Sequence, residues 1–345
     1  MKSIRLLLFF LTFLFAGSLF AQTDTLNRID ARGKKQGYWK KYDKELLIYE
    51  GRFLNDVPVG EFKYYHSNGK LKSVTIFLNG THKVQTTLYD ENGKKSAEGL
   101  FVDQLKEGLW NYYSPNKIKI KEENYKNGLK EGSWKTYSAQ SGILLEEETY
   151  SQGVLNGVKK TYYTDGDLNT SIQYINGKLN GVVEAYHPDN ILLMKGMYHN
   201  DLMIGNWDYY DITGKIRKTV VYEKSKSPKT YLYLAIGGAP QKLSLDGIAY
   251  FRKVGNTINV VTTNSKILVA DEQMESIKLW LDIIDFVPVN KSFLVAYNAI
   301  KGYQELEDGR ILVKLKPAPS TDVISEGEDA KFVKSLFNKE IPKEE

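Results

Sequence analysis

Apolar positions along residues 30–225 recur with a period of about 24 residues, in short runs separated by polar, turn-forming clusters. The anchor of the pattern is a Gly followed five positions later by Tyr. It occurs at Gly37 and Tyr42, Gly60 and Tyr65, Gly108 and Tyr113, Gly132 and Tyr137, Gly157 and Tyr162, Gly181 and Tyr186, and Gly205 and Tyr210. Val84 with Tyr89 fills the one gap in register, and successive anchors lie 23, 24, 24, 24, 25, 24 and 24 residues apart. Two positions after the anchor stand Trp39, Phe62, Trp110, Trp134 and Trp207, while Thr86, Lys159 and Val183 depart from the aromatic pattern. Seven positions before it stands an aromatic ring in every repeat from Phe53, Phe77 and Phe101 to Tyr125, Tyr150, Tyr174 and Tyr198. Fixed-period self-similarity of this length marks a repeat architecture.

Five positions before the anchor come Asn55, Asn79, Asn127, Asn176 and Asn200, with Asp103 and Gln152 as polar substitutes, and Gly follows at 80, 128, 153 and 177. Asn-Gly is a strong hairpin-turn signal because both residues tolerate positive φ. A second turn follows each Tyr, as in Ser67-Asn68-Gly69, Asp165-Gly166 and Thr213-Gly214. The five- to eight-residue stretches between turns are rich in Tyr, Phe, Trp, Ile, Val and Thr, which is strand composition. Each repeat therefore reads as two short antiparallel strands and two turns. The anchor glycines Gly37, Gly60, Gly108, Gly132, Gly157, Gly181 and Gly205 read as structural positions, where a side chain would clash or strain the backbone.

Segments such as Tyr49-Glu50-Gly51-Arg52-Phe53-Leu54-Asn55-Asp56 and Asn176-Gly177-Lys178-Leu179-Asn180-Gly181 resemble MORN repeats, in particular the bacterial MORN-repeat variants often described as antitoxin-like. The resemblance covers about residues 30–225 and implies eight hairpin units. The glycine two positions before the flanking aromatic survives at Gly51, Gly99 and Gly196, and the third repeat is the most degenerate. One hairpin cannot bury a face alone, whereas stacked repeats share neighbour contacts. At ~4.8 Å per strand, eight hairpins predict an elongated antiparallel single-sheet ribbon roughly 75 Å long. Phe62 and Tyr64 share one face of their strand and Tyr65 takes the other, so both faces carry aromatics.

The period stops after about Tyr222, and Lys224-Ser225-Lys226-Ser227-Pro228 reads as a linker. Strand-like runs follow at 231–236, 248–254, 257–262, 267–270 and 310–315. Asp271 is placed to cap a helix carrying Met274, Ile277, Leu281 and Ile284 on one face. Residues 293–303 fit strand or helix, and Ser325 is placed to cap a last helix with Phe332, Val333, Leu336 and Phe337. The expectation is a small α+β domain over 228–320 and a helical, charged tail over 321–345, resembling no recognised family. The fold class expected for the whole chain is mainly β.

The first residues change the picture of where the chain works. Lys2 and Arg5 precede an apolar run over residues 6–15, broken by Thr12, and the small residues before Ala21 suit cleavage there. This is the pattern of a signal peptide over 1–21, the alternative being a retained anchor shorter than the ~20 residues a span needs. Export to the periplasm or cell surface is the expectation, without disulfides, since Cys is absent. Removing Lys2 and Arg5 leaves 45 basic and 42 acidic residues, a balance that predicts no nucleic-acid partner and makes lipid an unfavoured one.

Chemistry is sparse. No nucleophile elbow, phosphate loop, dinucleotide fingerprint or His-Glu-x-x-His occurs, and thiolate chemistry is excluded. The four histidines, His66, His82, His187 and His199, read as turn residues, and only His187 and His199 share a hairpin. Glu122-Glu123 and Glu146-Glu147-Glu148 offer paired carboxylates of the kind that hydrolyse glycans, against a plainer reading as a solvated acidic edge. The expectation is no catalytic residue, no metal and no cofactor. Trp39, Tyr64, Trp110, Tyr112, Trp134, Trp207 and Tyr209 form the candidate binding surface, the alternative being that periodic rings make the shared core. The expected function is an exported, non-catalytic scaffold binding a protein or cell-envelope polymer along the ribbon. Its rivals are a periplasmic immunity or antitoxin-like protein and an envelope hydrolase with its site in the C-terminal domain.

Overall fold

The computed structural model describes residues 25–78, 82–224, 226–281 and 285–337. The expected signal segment, the Asn79-Gly80 turn, Ile284 and the charged end at 342–345 lie outside the described residues. The protein is mainly β and antiparallel, with a small helix-bearing C-terminal region. The described residues divide into two compact units, one within residues 25–107 with 115–117 and the other within 108–114 with 118–337.

The first unit is a series of hairpins: Lys35–Asp43 with Leu46–Leu54, Val57–Tyr65 with Leu71–Phe77, and Lys83–Tyr89 with Lys95–Val102. In the second unit the same construction continues, from Leu129–Tyr137 with Leu144–Ser151 to Leu202–Tyr210 with Ile216–Tyr222. The turn positions behave as their composition demands. Both residues are at positive φ in Asn55-Asp56, Asp103-Gln104, Asn127-Gly128, Gln152-Gly153, Asn176-Gly177 and Asn200-Asp201. The anchor glycines are conformational requirements: Gly60 sits at φ +67°, Gly132 at +70° and Gly205 at +65°. A Cβ added at Gly60 or Gly205 would meet no atom within 4 Å, so strain rather than collision is the reason for glycine there. Val84 needs no such backbone. It pairs with Phe77 and Phe101, and the pairing of Leu71–Phe77 with Lys83–Tyr89 runs without the register shift seen beside Gly60, Gly132 and Gly205.

The last repeat strand does not end the sheet of the second unit. Ile216–Tyr222 pairs with Lys229–Ile236, in the register Lys218 to Leu232. That strand pairs in turn with Ala239–Ser244 and, at its end, places Ile236 against Ala270. Strands Ile248–Val254, Thr257–Thr262, Ile267–Ala270, Phe286–Asn290 and Phe293–Ala296 complete this part, and Ile300–Glu305, Ile311–Leu315 and Ile324–Ser325 form a second, three-stranded sheet. The stretch 293–303 is thus two strands joined by a short turn at Tyr297–Ala299. The helix after Asp271 is a single turn, Met274–Lys278, burying Met274 and Ile277. The last helix, Gly327–Phe337, packs into the domain rather than trailing from it, with Val333 fully buried in the same core as Phe251, Val260, Val289, Val295 and Ile311.

Candidate functional site

The aromatic columns are packing elements before they are anything else. Phe62, Trp110 and Trp207 are buried. Gly51 and Gly196 lie under two of these rings, since an added Cβ would come within 2.4 Å of Phe62 and 2.3 Å of Trp207. Trp39 and Trp134 are half-buried, and the ammonium groups of Lys35 and Lys130 stand 5.0 and 4.1 Å from their ring centres. Their indole N–H groups donate to the carbonyls of Gln36 at 3.1 Å and Asn124 at 2.8 Å. Tyr64, Tyr112 and Tyr209 are half-buried beside them. A platform of free rings is therefore not what the sheet presents: Trp110 and Trp207 are covered, and Lys35 and Lys130 stand over the rings of Trp39 and Trp134.

The carboxylates are tied to tyrosines and lysines. Tyr137 donates to Glu122 at 3.0 Å, Tyr125 to Glu123 at 2.8 Å, Tyr150 to Glu148 at 2.9 Å and Tyr186 to Glu184 at 2.9 Å. Lys159 bridges Glu146 and Glu148 at 2.9 and 2.8 Å. Desolvation opposes ionisation of Glu148, but the hydrogen bonds from Lys159 and Tyr150 outweigh it and hold the carboxyl below its ordinary range. Desolvation, with Glu122 as acceptor, pushes the Tyr137 hydroxyl up to about 12. A carboxylate held ionised by donors on its own sheet is poorly suited to deliver a proton as a glycosidase acid must. His187 and His199 do not join either: His199 meets Asn200 at 3.3 Å.

The C-terminal domain carries a different kind of surface. Arg252 pairs across the sheet with Phe293, and Lys253 donates its backbone N–H to the carbonyl of Ser292 at 2.8 Å. Lys291 is exposed at the tip of the turn between Phe286–Asn290 and Phe293–Ala296. Asn290 locks that turn. Its Oδ1 accepts from the N–H groups of Ser292 and Phe293, both at 2.9 Å, and its Nδ2 donates to the Ile324 carbonyl at 2.7 Å. The Arg252 guanidinium donates to Ser320 Oγ at 2.9 Å, across a groove of about 280 Å³ floored by Tyr250, Asn259 and Val261. Among the described residues no carboxylate pairs with Arg252, Lys253 or Lys291. Three other cations of the domain pair with carboxylates, Arg310 with Asp308 at 2.6 Å, Lys331 with Glu328 at 2.7 Å and Lys334 with Glu305 at 2.8 Å. Sequence reading missed this grouping, because strand pairing brings the turn at Lys291 to the distant strand of Arg252 and Lys253; only the polar tripeptide Asn290-Lys291-Ser292 between two apolar runs signalled a tip.

Comparison with known proteins agrees with one half of the sequence reading and corrects the other. The family model of the MORN repeat variant matches residues 58–79 and 155–176. The model of the LytTr DNA-binding domain matches residues 241–336, the segment in which sequence reading found no family. Among solved structures, the LytTr DNA-binding domain of a putative methyl-accepting/DNA response regulator from Bacillus cereus is 15% identical, with 32% of this chain and 94% of that one covered and a TM-score of 0.25. A crystal structure of TcdB2-TccC3-Cdc42 is 10% identical, covering 86% of this chain and 21% of that one at a TM-score of 0.16. Neither superposition is close enough to carry an argument. No curated protein matches the chain. The match over 241–336 overturns three expectations: a protein or envelope partner along the ribbon, an antitoxin-like role, and the exclusion of nucleic acid. The error was one of scale. Charge balance over a whole chain says nothing about one segment of it.

Proposed function

We propose that residues 241–336 bind double-stranded DNA and that the chain is a non-catalytic DNA-binding protein carrying a repeat sheet. The observation that carries this reading is the match of the segment to the LytTr DNA-binding domain. Net charge adds nothing, since residues 241–336 hold twelve Lys or Arg against thirteen Asp or Glu. Distribution is what supports it. Phosphate neutralisation needs cations not already spent on carboxylates, set on rigid elements. Arg252, Lys253 and Lys291 meet both conditions, and we assign them to the phosphate backbone, with Asn259 and Ser320 beside the groove as polar partners. We also read residues 30–225 as eight copies of the MORN-variant unit.

Fluorescence anisotropy with a labelled duplex tests the DNA reading. The expected result is binding whose logarithmic affinity falls linearly with logarithmic salt. Replacing Lys291 or Lys253 by Ala is expected to lower that slope by about 1 each. Absence of binding at low salt, or binding indifferent to all three cations, would sink the assignment. For the N-terminus, outside the described residues, we keep the reading of an export signal cleaved after Ala21. It makes the opposite demand, because an exported chain meets no chromosome. N-terminal sequencing of the native protein tests this: a mature start at Gln22 in an exported fraction removes DNA binding as the cellular role, and an intact Met1 removes cleavage after Ala21.

A further inference from the structure

The aromatic column of the first unit is interrupted at the third repeat. In the second repeat Phe62 stands edge-on between two flanking rings, 5.2 Å from Phe53 and 5.1 Å from Phe77. The second unit repeats the arrangement. Trp134 sits 5.1 Å from Tyr125 and 5.6 Å from Tyr150, and Trp207 sits 5.0 Å from Tyr198 and 6.2 Å from Tyr222. At the third repeat the flanking rings are Phe77 and Phe101, held on either side of Val84 by strand register, but the column residue between them is Thr86. Its hydroxyl lies 3.3 Å from that of Thr75, and both threonines are buried.

Where the adjacent repeats place the rings of Phe62 and Trp110, this one has a groove of about 630 Å³. Phe77 and Phe101 wall it, Thr75 and Thr86 form its buried floor, and the exposed His82–Asp103 pair stands at its rim. That volume falls within the ~300–1,000 Å³ usual for small-molecule sites. Phe77, Val84 and Phe101 supply its apolar lining, with Lys72, Ser73 and Gln104 among the polar residues around them.

We propose that this groove binds a small planar aromatic molecule of one or two rings, seated between Phe77 and Phe101 where neighbouring repeats carry Phe or Trp. The edge-to-face geometry these flanking rings adopt toward Phe62, Trp134 and Trp207 is the one aromatic pairs favour. The threonine hydroxyls at the floor provide the complement for one ring-borne N–H or O–H, since a hydroxyl both donates and accepts. An indole or phenol thus fits better than a saturated ring of equal size. This site lies in the repeat region and stands independently of DNA binding.

Calorimetric titration of the full chain with indole, and with cyclohexanol as the non-aromatic control, tests the proposal. The expected result is saturable binding of one indole, with cyclohexanol at least tenfold weaker. Thr86→Trp is expected to fill the seat and weaken indole at least tenfold, with Thr86→Phe as a second filler that copies Phe62, each checked for an unchanged melt by circular dichroism. In the unsubstituted protein, indole should shift the methyl resonances of Thr75, Val84 and Thr86 ahead of others, a readout that survives if both fillers fail to fold. No saturable binding, equal binding of cyclohexanol, folded fillers that bind indole unchanged, or shifts centred elsewhere would each overturn it.

Discussion

The repeat sheet and the C-terminal domain are both antiparallel β, yet they are held together differently. In the C-terminal domain, Phe251, Val260, Ala270, Val289, Val295, Ile311 and Val333 are fully buried in one shared cluster. In the repeats of the second unit the clusters are small, such as Val183, Trp207 and Val220, and much of the packing is one ring leaning on the next hairpin. A shared core makes every residue depend on all the others, while a stack makes each depend on its neighbours. The contrast also separates two uses of sequence. Repeats keep their glycines and turn residues for backbone reasons, whereas the domain spends its residues on filling volume.

The sharpest way to break this comparison is to empty one site in each region. Phe251→Ala, in the common core, is expected to cost about 3–5 kcal/mol and to abolish DNA binding with the fold. Trp207→Ala, in the stack, is expected to cost about 2 kcal/mol, below the range for a full core because only neighbouring hairpins pack on it. Urea melts of both variants check the order; a larger loss at Trp207 would mean that the stack behaves as one core.

Backbone strain comes next. Gly132→Val places a β-branched residue at φ +70° with only Asn124 Cβ nearby at 3.9 Å, and is expected to cost about 2 kcal/mol through conformation rather than collision. Val84→Gly, in a strand of ordinary register, is expected to cost about 1 kcal/mol. Equal losses in chemical denaturation would show that the anchor column is not a conformational requirement.

The smallest expected effect is confined to the repeats. Desolvation and then the neighbouring carboxylates, Glu123, Glu122 and Glu148, push the hydroxyls of Tyr125, Tyr137 and Tyr150 up to about 12 from the ordinary 10.0. A raised pKa in the folded state is stability that is present below the unfolded value and lost as pH rises through the folded one. Repeat melting temperature should therefore fall between about pH 10 and 12, and tyrosinate absorbance should lag behind that of the unfolded chain. Tyr137→Phe should reduce the fall; an unchanged alkaline profile in that variant would count against the Tyr137 to Glu122 contact in solution.

Local rules made the repeat units legible from residues alone. Asn127-Gly128 and Asn176-Gly177 announce their turns because few other pairs tolerate positive φ twice, and Gly at 60, 132 and 205 announces a backbone few other residues adopt. In the C-terminal domain the strands 248–254, 257–262 and 267–270 were equally readable. Its architecture was not, because it rests on pairings such as Tyr250 with Val295 and on Asn290 reaching Ile324, contacts that no period in the sequence encodes. The place of Lys291 near the strand of Arg252 and Lys253 was hidden for the same reason: it rests on the pairing of Arg252 with Phe293 and on the Lys253 N–H reaching Ser292. The groove at Thr86 lies between the two cases. Sequence showed that the third repeat departs from the aromatic column; only packing decided that the departure leaves space between Phe77 and Phe101 instead of closing over it. Turns and columns are properties of a few adjacent residues, and the chain determined them by itself. Uncompensated charge and unfilled volume are properties of what surrounds a residue, and the tertiary structure alone decided those.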